Sequence, residues 1–182
     1  GLGSSGSSGV SGGDPGLVAG TGLNSIKNAD ALVVIPANAV GKKSIAIGDG
    51  AVAGSAAGEF YSIAIGNLAI AGESTVAIGN SSNVSNPSIA HAVVIGNTGL
   101  AKNRGISIGR LATGLADDQI AIGNQSSAGT AGIYGIAIGS KAGVNGSSGV
   151  AIGANSNANG ANSIAIGNIS NAPLAGDIAI GN

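Results

Sequence analysis

Several residue types that usually build cores and reactive sites are missing or rare in this sequence. The 182 residues include no cysteine, methionine or tryptophan, one phenylalanine and two tyrosines. Without cysteine, the chain has no disulfide framework, no zinc knuckle and no thiol chemistry. Charged residues make up only 8% of the chain, and the formal net charge is −1. The seven basic residues are scattered, which excludes the dense basic stripe of a nucleic-acid-binding protein.

Long apolar runs and catalytic motifs are missing as well. No stretch approaches the roughly 18–20 apolar residues that a membrane-spanning helix requires. The sequence has no phosphate-binding loop, no calcium-binding nonapeptide and no serine–histidine–aspartate constellation. Asp117 and Asp118 are the sole acidic pair, and as neighbours in the chain they point apart, which disfavours paired acid–base work. The sequence therefore predicts no enzyme, no cofactor and no metal site.

What the chain does contain is a four-residue phrase, Ile/Val–Ala/Ser/Val–Ile–Gly, that occurs ten times. The first copy is Ile45–Gly48 and the last is Ile178–Gly181. Successive closing glycines are 13 to 18 residues apart, most often 14. This period is too short for a helix pair or a propeller blade, and it suits one coil of a β-solenoid. We predict an all-β, parallel β-roll with two short strands and two corners in each coil.

Three segments of the chain differ in composition. Residues 1–16 are rich in glycine and serine and have no apolar period, so we expect a flexible leader or the remnant of an expression tag. Residues 17–40 have a degenerate register, in which Val33–Pro36 looks like a repeat with proline in place of glycine. We expect capping coils there, because the end coil of a solenoid meets solvent. Residues 41–182 hold the regular repeats.

The strand within each repeat, which we call the anchor strand, has no polar face. Ile136 and Ile138 point to one side, whereas Ala137 and Gly139 point to the other. A strand that is apolar on both faces should be buried on both, once by its own chain and once by a partner. We expect the branched residues to fill the interior and the small ones to face that partner. The structural anchors are Ile45, Ile47, Gly48, Ile63, Ile65, Gly66, Ile136, Ile138, Gly139, Ile164, Ile166 and Gly167.

Three repeats carry a family resemblance. Ser44–Gly48, Ser62–Gly66 and Ser163–Gly167, each followed by a strand of small residues, resemble the head repeats of trimeric autotransporter adhesins, the YadA-like heads of Gram-negative surface proteins. The resemblance spans about residues 30–182. It implies a left-handed parallel β-roll and a homotrimer with its anchor strands innermost. It also implies a location at the bacterial cell surface, on the outer membrane.

The same resemblance implies a function in attachment. Heads of this family adhere to host matrix proteins such as collagen, fibronectin or laminin, to host cells, to abiotic surfaces or to sibling bacteria. No stalk or membrane anchor follows Gly181, so we expect a head fragment whose anchoring depends on parts outside it. The rod would offer three copies of each weak contact, which raises avidity.

Insertions near Ser55–Tyr61, Ser82–His91 and Ser126–Tyr134 lengthen some coils, and such loops often form the binding face of a solenoid. Aromatic residues are enriched at binding hot spots, so those near the insertions are candidate ligand contacts. The alternative is that they cover the flank of a neighbouring coil and that the basic residues are a solvated edge. The candidates are Phe60, Tyr61, His91, Lys102, Arg104, Arg110 and Tyr134.

Other functions remain open on these residues. A structural spacer or a phage-fibre segment would need the same trimeric roll and no ligand. Hexapeptide acyltransferases also form trimeric solenoids, but their repeat is six residues rather than about fourteen. Ice binding would need rows of threonine, and the five threonines occur in no constant register. Matrix-binding assays would separate an adhesin from a spacer.

Overall fold

The computed structural model describes residues 17–19, 26–28, 37–41, 43–54, 61–84, 91–129 and 133–181. The segment 1–16 and the proline-containing repeat Val33–Pro36 lie outside these ranges, as does Phe60. For 17–19 and 26–28 only the backbone path is described. In the described part of the chain, no helix is long and apolar enough to cross a membrane.

Short strands follow one another along the whole described chain. They are β1 (Leu17–Ala19), β2 (Ile26–Asn28), β3 (Asn38–Ala39), β4 (Ile45–Ile47), β5 (Val52–Ala53), β6 (Ile63–Ile65), β7 (Ile70–Ala71), β8 (Val76–Ile78), β9 (Asn83–Val84), β10 (Val93–Ile95), β11 (Leu100–Ala101), β12 (Ile106–Ile108), β13 (Thr113–Gly114), β14 (Ile120–Ile122), β15 (Ser127–Ala128), β16 (Ile136–Ile138), β17 (Gly143–Val144), β18 (Val150–Ile152), β19 (Asn157–Ala158), β20 (Ile164–Ile166), β21 (Asn171–Ala172) and β22 (Ile178–Ile180).

These strands form two sheets that run the length of the molecule. The anchor sheet has 12 strands, in the order β1-β2 followed by the even-numbered strands from β4 to β22. The second sheet has 10 strands, the odd-numbered ones from β3 to β21. Pairing is parallel and in register from coil to coil, as between β16 and β18, and only β1 and β2 pair antiparallel. The predicted parallel β-solenoid with two strands per coil is confirmed.

The interior is narrow and is filled by small side chains. The central residue of an anchor strand points inward, as does the second residue of each strand in the second sheet; Ala64 and Ala71 in neighbouring strands are both essentially buried. Four residues join β6 to β7, and one of them, Ala69, is buried too. Short corners hold the sheets close together, so alanine, serine and a few valines fill the space.

The predicted facing of the anchor strands is therefore wrong. Ala137 is fully buried inside the roll, whereas Ile136 and Ile138 point outward and are only partly covered by their own chain. Each coil already places several corner and second-strand side chains between the two sheets. Two rows of isoleucine would overfill that space, and overpacking is destabilising. The small residues fill the solenoid, and the branched residues face away from it.

Compensating changes in size keep the narrow interior filled. Val94 and Val144 occupy inward positions that hold alanine in most coils, and glycines stand beside them. A Cβ added at Gly99 would lie 2.8 Å from Val94 Cγ1, and one at Gly149 would lie 2.8 Å from Val144 Cγ1. Glycine therefore makes room for valine, as close packing requires.

Hydroxyl groups at the corners are buried and satisfied. Ser163 Oγ donates to the carbonyl oxygen of Gly160 at 2.7 Å, and Thr75 Oγ1 donates to that of Gly72 at 3.0 Å. Gln119 is the largest fully buried side chain among the described residues; its Nε2 donates to the Gly129 carbonyl oxygen at 2.7 Å. Because each of these groups has a partner, the polar interior carries little desolvation cost.

The glycine that closes each repeat is required by the backbone. Gly139 has φ +136°, a conformation that side-chain-bearing residues rarely adopt. A Cβ there would also overlap the carbonyl group of Gly153 in the next coil. The other corner positions with positive φ are a different matter, because they include bulky residues such as Leu68, Arg104 and Ile169. Glycine thus supplies the positive φ at the closing position of each repeat, whereas most of the other positive-φ corner positions carry a side chain.

Candidate contact surfaces

One column of side chains runs along the corner that precedes the anchor strands. The anchor strands pair in register, so residues two positions before each strand stack on one another. The backbone confirms the stacking: Ser148 N donates to the Ile133 carbonyl oxygen and Asn162 N to that of Ser147. Coils are spaced about 4.8 Å apart. We call this column the second-corner row: Lys43, Tyr61, Ser74, His91, Arg104, Asp118, Tyr134, Ser148, Asn162 and Gly176.

The first two members of the row contact each other. Lys43 Nζ lies 5.1 Å from the centroid of the Tyr61 ring and 3.3 Å from its hydroxyl oxygen. The cation therefore sits within range of the ring and donates to the phenol. Tyr61 still has 60% of its surface exposed, so its ring remains available to a ligand.

An ion pair joins two further members. Arg104 donates through Nε to Asp118 Oδ1 and through Nη2 to Oδ2, each at 2.6 Å. This two-pronged geometry matches the planar guanidinium to the carboxylate. Beside it, Asn103 Nδ2 donates to Asp117 Oδ2 at 3.4 Å. The two adjacent aspartates thus have different partners and do not converge on one point.

The ion pair shifts both ionisation equilibria. The hydrogen bonds to Asp118, followed by its charge, raise the pKa of Arg104 above its ordinary value. The same hydrogen bonds hold the pKa of Asp118 below its ordinary value, against a smaller opposing effect of desolvation. Arg104 is exposed and Asp118 is partly exposed, so the pair fixes the corner locally rather than anchoring the fold.

Acidification should weaken this contact. Because the pKa of folded Asp118 is depressed, its stabilising contribution is present above the unfolded pKa, about 3.9, and is lost as pH falls through the folded pKa. We expect the melting temperature of the unmodified protein to fall slightly more than that of Asp118→Asn as pH is lowered from 5 towards 2. Thermal melts across that range test this. Parallel curves for the two proteins would contradict it.

The predicted contact residues do not all lie on the same surface. Tyr61, His91, Arg104 and Tyr134 all belong to the second-corner row and are exposed, with Tyr134 showing 56% of its surface. Lys102 is exposed at the start of the same corner, just after β11. Arg110 follows β12 at the opposite corner, so the three basic candidates are divided between the two corners of the coil. Phe60 lies outside the described residues.

Sequence reasoning identified four of the ten members of the row. Among those that it missed, Lys43 and Asp118 each contact a candidate residue. The signal was available: Asp118 is 14 residues after Arg104, one coil period, so the two had to stack. Counting back two positions from every repeat would have found the whole row.

A second surface is apolar and runs along the outward side of the anchor sheet. Every anchor strand from β4 to β22 places two branched aliphatic residues there, and none is charged. Several are well exposed, including Ile95, Ile152 and Ile166. We call this surface the anchor face: Ile45, Ile47, Ile63, Ile65, Val76, Ile78, Val93, Ile95, Ile106, Ile108, Ile120, Ile122, Ile136, Ile138, Val150, Ile152, Ile164, Ile166, Ile178 and Ile180.

The anchor face is too large and continuous to be an ordinary solvated surface. It spans ten strands, which at the usual strand spacing is on the order of 40 Å. Single apolar residues on a surface need no explanation, but contiguous apolar strips mark interaction sites. One chain supplies no cover for it in the described structure. In the described ranges, no group of three or more His, Asp or Glu side chains lies close enough together to hold a metal ion.

A solved structure shares this architecture. The collagen-binding domain of the Yersinia adhesin YadA is similar to the present fold with a TM-score of 0.59 and 31% sequence identity. The match covers 88% of this chain and 82% of that chain.

The chain belongs to the YadA head family.

The family model agrees with the structural match. The YadA head domain repeat model (2 copies) matches residues 39–69, 131–156, 145–170 and 158–182. No curated protein matches the chain. The unmatched middle of this YadA-type head keeps the same two strands per coil, although Val94 and Ser107 replace alanine at inward anchor positions. The chain is thus an adhesin-type head built from β-roll repeats.

Proposed function

We propose that this chain is a non-enzymatic attachment head that trimerises through the anchor face and presents the second-corner row to a host matrix protein. The observation that carries the proposal is the anchor face, an uninterrupted double column of branched aliphatic side chains with no cover in one chain. An exposed strip of this kind is stabilised when identical subunits bury it. If the three anchor faces meet at a common axis, each subunit helps to bury the anchor faces of the other two.

The similar solved structure indicates which ligand to test first. Because the similar Yersinia domain binds collagen, the first ligand to test is collagen, with fibronectin and laminin beside it. The second-corner row offers what such a contact uses: exposed tyrosines, a histidine and an arginine spaced along one edge. Presentation in triplicate strengthens each weak contact without adding new ones. Such a head acts outside a Gram-negative cell, held at the outer membrane by other parts of the protein.

Removing the aromatic side chains of the row should weaken attachment. We expect the double variant Tyr61→Ala and Tyr134→Ala to bind immobilised collagen about tenfold less tightly, because exposed aromatics contribute most of the energy at such contacts. Solid-phase binding of the trimer to collagen, fibronectin and laminin measures this. Leu68→Ala removes an exposed side chain at the opposite corner and should leave binding unchanged.

Two results would overturn parts of the proposal. Saturable binding that survives the double variant would move the contact away from the row. If a correctly folded trimer bound no matrix protein, no cell and no sibling head, the chain would be a structural spacer instead. A spacer would also keep the contacts within the row, from Lys43 to Tyr61 and from Arg104 to Asp118, so these contacts do not distinguish the two functions.

A further inference from the structure

The outward face of the second sheet changes chemistry along the rod. The second residue of each strand points inward, so the first residue points outward; in β19, Ala158 is buried and Asn157 is partly exposed. Towards one end this outward column holds Val52, Ile70 and Leu100, with Asn38 and Asn83 among them. At the other end it holds no apolar side chain and consists of Gly143, Asn157 and Asn171. This face is opposite the anchor face, so it stays accessible when anchor faces meet.

Asparagine side chains gather on the last coils, along the edge between that face and the second corner. Asn145 and Asn159 follow β17 and β19 at the start of the second corner. Asn145 Nδ2 donates to Asn159 Oδ1 at 2.6 Å, and Asn159 Nδ2 donates to Asn171 Oδ1 at 3.2 Å. In the outward column that also holds Asn171, Asn157 Nδ2 donates to the carbonyl oxygen of Asn155 at 3.1 Å. These bonds fix the direction of each carboxamide. We call the surface formed by Asn145, Asn157, Asn159 and Asn171 the amide patch.

Gly143, in the strand beside the patch, leaves space for the carboxamide of Asn157. Gly143 occupies the outward position of β17, one coil before Asn157. Its backbone does not adopt a positive φ, so the conformation alone does not require glycine. A Cβ added there would lie 2.7 Å from Asn157 Oδ1. The missing side chain therefore leaves room for the Asn157 amide and makes a shallow depression in the outward surface at Gly143. Glycine in a strand often occurs where another molecule approaches closely.

The patch and the residues between its members carry no charge. Residues 142–176 contain no aspartate, glutamate, lysine, arginine or histidine, and no aromatic residue, although the exposed Lys141 directly precedes this range. Recognition of sulfate, carboxylate or phosphate groups depends on arginine or lysine, and no member of the patch supplies either. The ligand that fits is uncharged and rich in hydroxyl groups. A carboxamide offers two N–H donors and an acceptor oxygen, which matches hydroxyls that both donate and accept.

We propose that the amide patch is a binding site for neutral glycan chains. Hydrogen bonds link Asn145, Asn159 and Asn171 into a chain of oriented amides, one on each of three successive coils. Asn171 lies one column over from the other two, in register with Asn157 and Gly143. A linear sugar polymer that follows this chain meets one amide per coil, and the coils are about 4.8 Å apart. Each contact is weak, and the amides of several coils bind the chain together. This site shares no residue with the second-corner row, where the matrix-protein contact is proposed.

The decisive variant fills the space above Gly143 and keeps every asparagine of the patch. In Gly143→Ala, the new Cβ displaces only the end of the Asn157 side chain, so the fold should be retained. We expect its affinity for uncharged oligosaccharides to fall about tenfold, as does that of Asn159→Ala. Isothermal titration of the purified head with cellohexaose and chitohexaose, each against a sulfated and a sialylated oligosaccharide, measures this. Asn67→Ala is the matched control, because it removes an exposed amide at the first corner, where Asn80 Nδ2 donates to Asn67 Oδ1.

The outcomes separate this site from the attachment function. Binding of neutral sugars that is lost in Gly143→Ala and Asn159→Ala, with melting temperature preserved in Gly143→Ala, supports the proposal. No binding of either neutral oligosaccharide, preference for the charged ones, or equal loss in Asn67→Ala overturns it. If Gly143→Ala instead abolishes collagen binding, the patch contacts protein and the glycan proposal fails. Collagen binding unaffected by Gly143→Ala leaves the second-corner proposal standing whatever the sugars do.

Discussion

Gly139→Val should prevent the central coils from forming. The backbone at Gly139 has φ +136°, which valine does not adopt without severe strain, and its Cβ would overlap the carbonyl group of Gly153. Backbone cannot move aside as a flexible side chain can, because the same glycine corner repeats in the coils on either side. We expect a loss of more than about 4 kcal/mol in the free energy of unfolding, enough to unfold a domain of ordinary stability. Urea denaturation followed by circular dichroism measures it.

Gly176→Ala separates strain from overlap. Gly176 also has a positive φ, +76°, but a Cβ there would meet nothing within 4 Å. Only the conformational cost remains, about 1–2 kcal/mol. If the two variants lost equal stability, the close approach between successive glycine corners would have no energetic weight, and the explanation for the repeated glycine would be wrong.

Ile138→Asp should abolish assembly. Ile138 faces outward and is only partly covered by its own chain, so a single protomer tolerates the carboxylate better than an interior position would. In a trimer built on the anchor face, three carboxylates would be desolvated close together, each at a cost of several kcal/mol. We expect the mass from light scattering to fall from that of three chains to that of one. The unmodified protein should give the trimer mass under the same conditions.

Ser140→Asp is the matched control. It adds the same charge two residues further along, at an exposed corner position, and should leave the mass unchanged. A trimer that persisted in Ile138→Asp with an unchanged melting temperature would place the subunit interface elsewhere. If the unmodified protein were a stable monomer, the anchor face would have no partner of its own kind.

The repeat predicted the path of the chain but not the direction of its side chains. A period near 14, a closing glycine and an apolar anchor specify two strands and two corners per coil, and register follows because identical coils stack. Which face of the anchor strand points inward depends on the width of the interior. That width is set by the four-residue corners and by the side chains that they bury, such as Ala69 and Thr75, and alternation alone carries no information about it.

The candidate contacts were recognised by residue type, and their arrangement was not. Tyr61, His91, Arg104 and Tyr134 looked like isolated features of separate loops, whereas stacking places them on one edge. Positive φ at His91, Arg104 and Tyr134 was also unexpected, because arginine and tyrosine are not residues that favour it. The contacts between neighbouring coils, which involve residues 13 to 18 positions apart, hold them there. The functional assignment of the row remains a prediction.

The uniform stacking of coils has a consequence for how such rods vary. Each described coil pairs only with the coil above and the coil below, and most junctions use the same alanine interior and glycine corner. A duplication or deletion of one whole unit therefore joins surfaces that already fit. It shifts the tip by about 4.8 Å while leaving every other junction intact. Gain or loss of a partial unit breaks the register of both sheets. Reach can thus be tuned in fixed steps by recombination between repeats, without evolving a new fold.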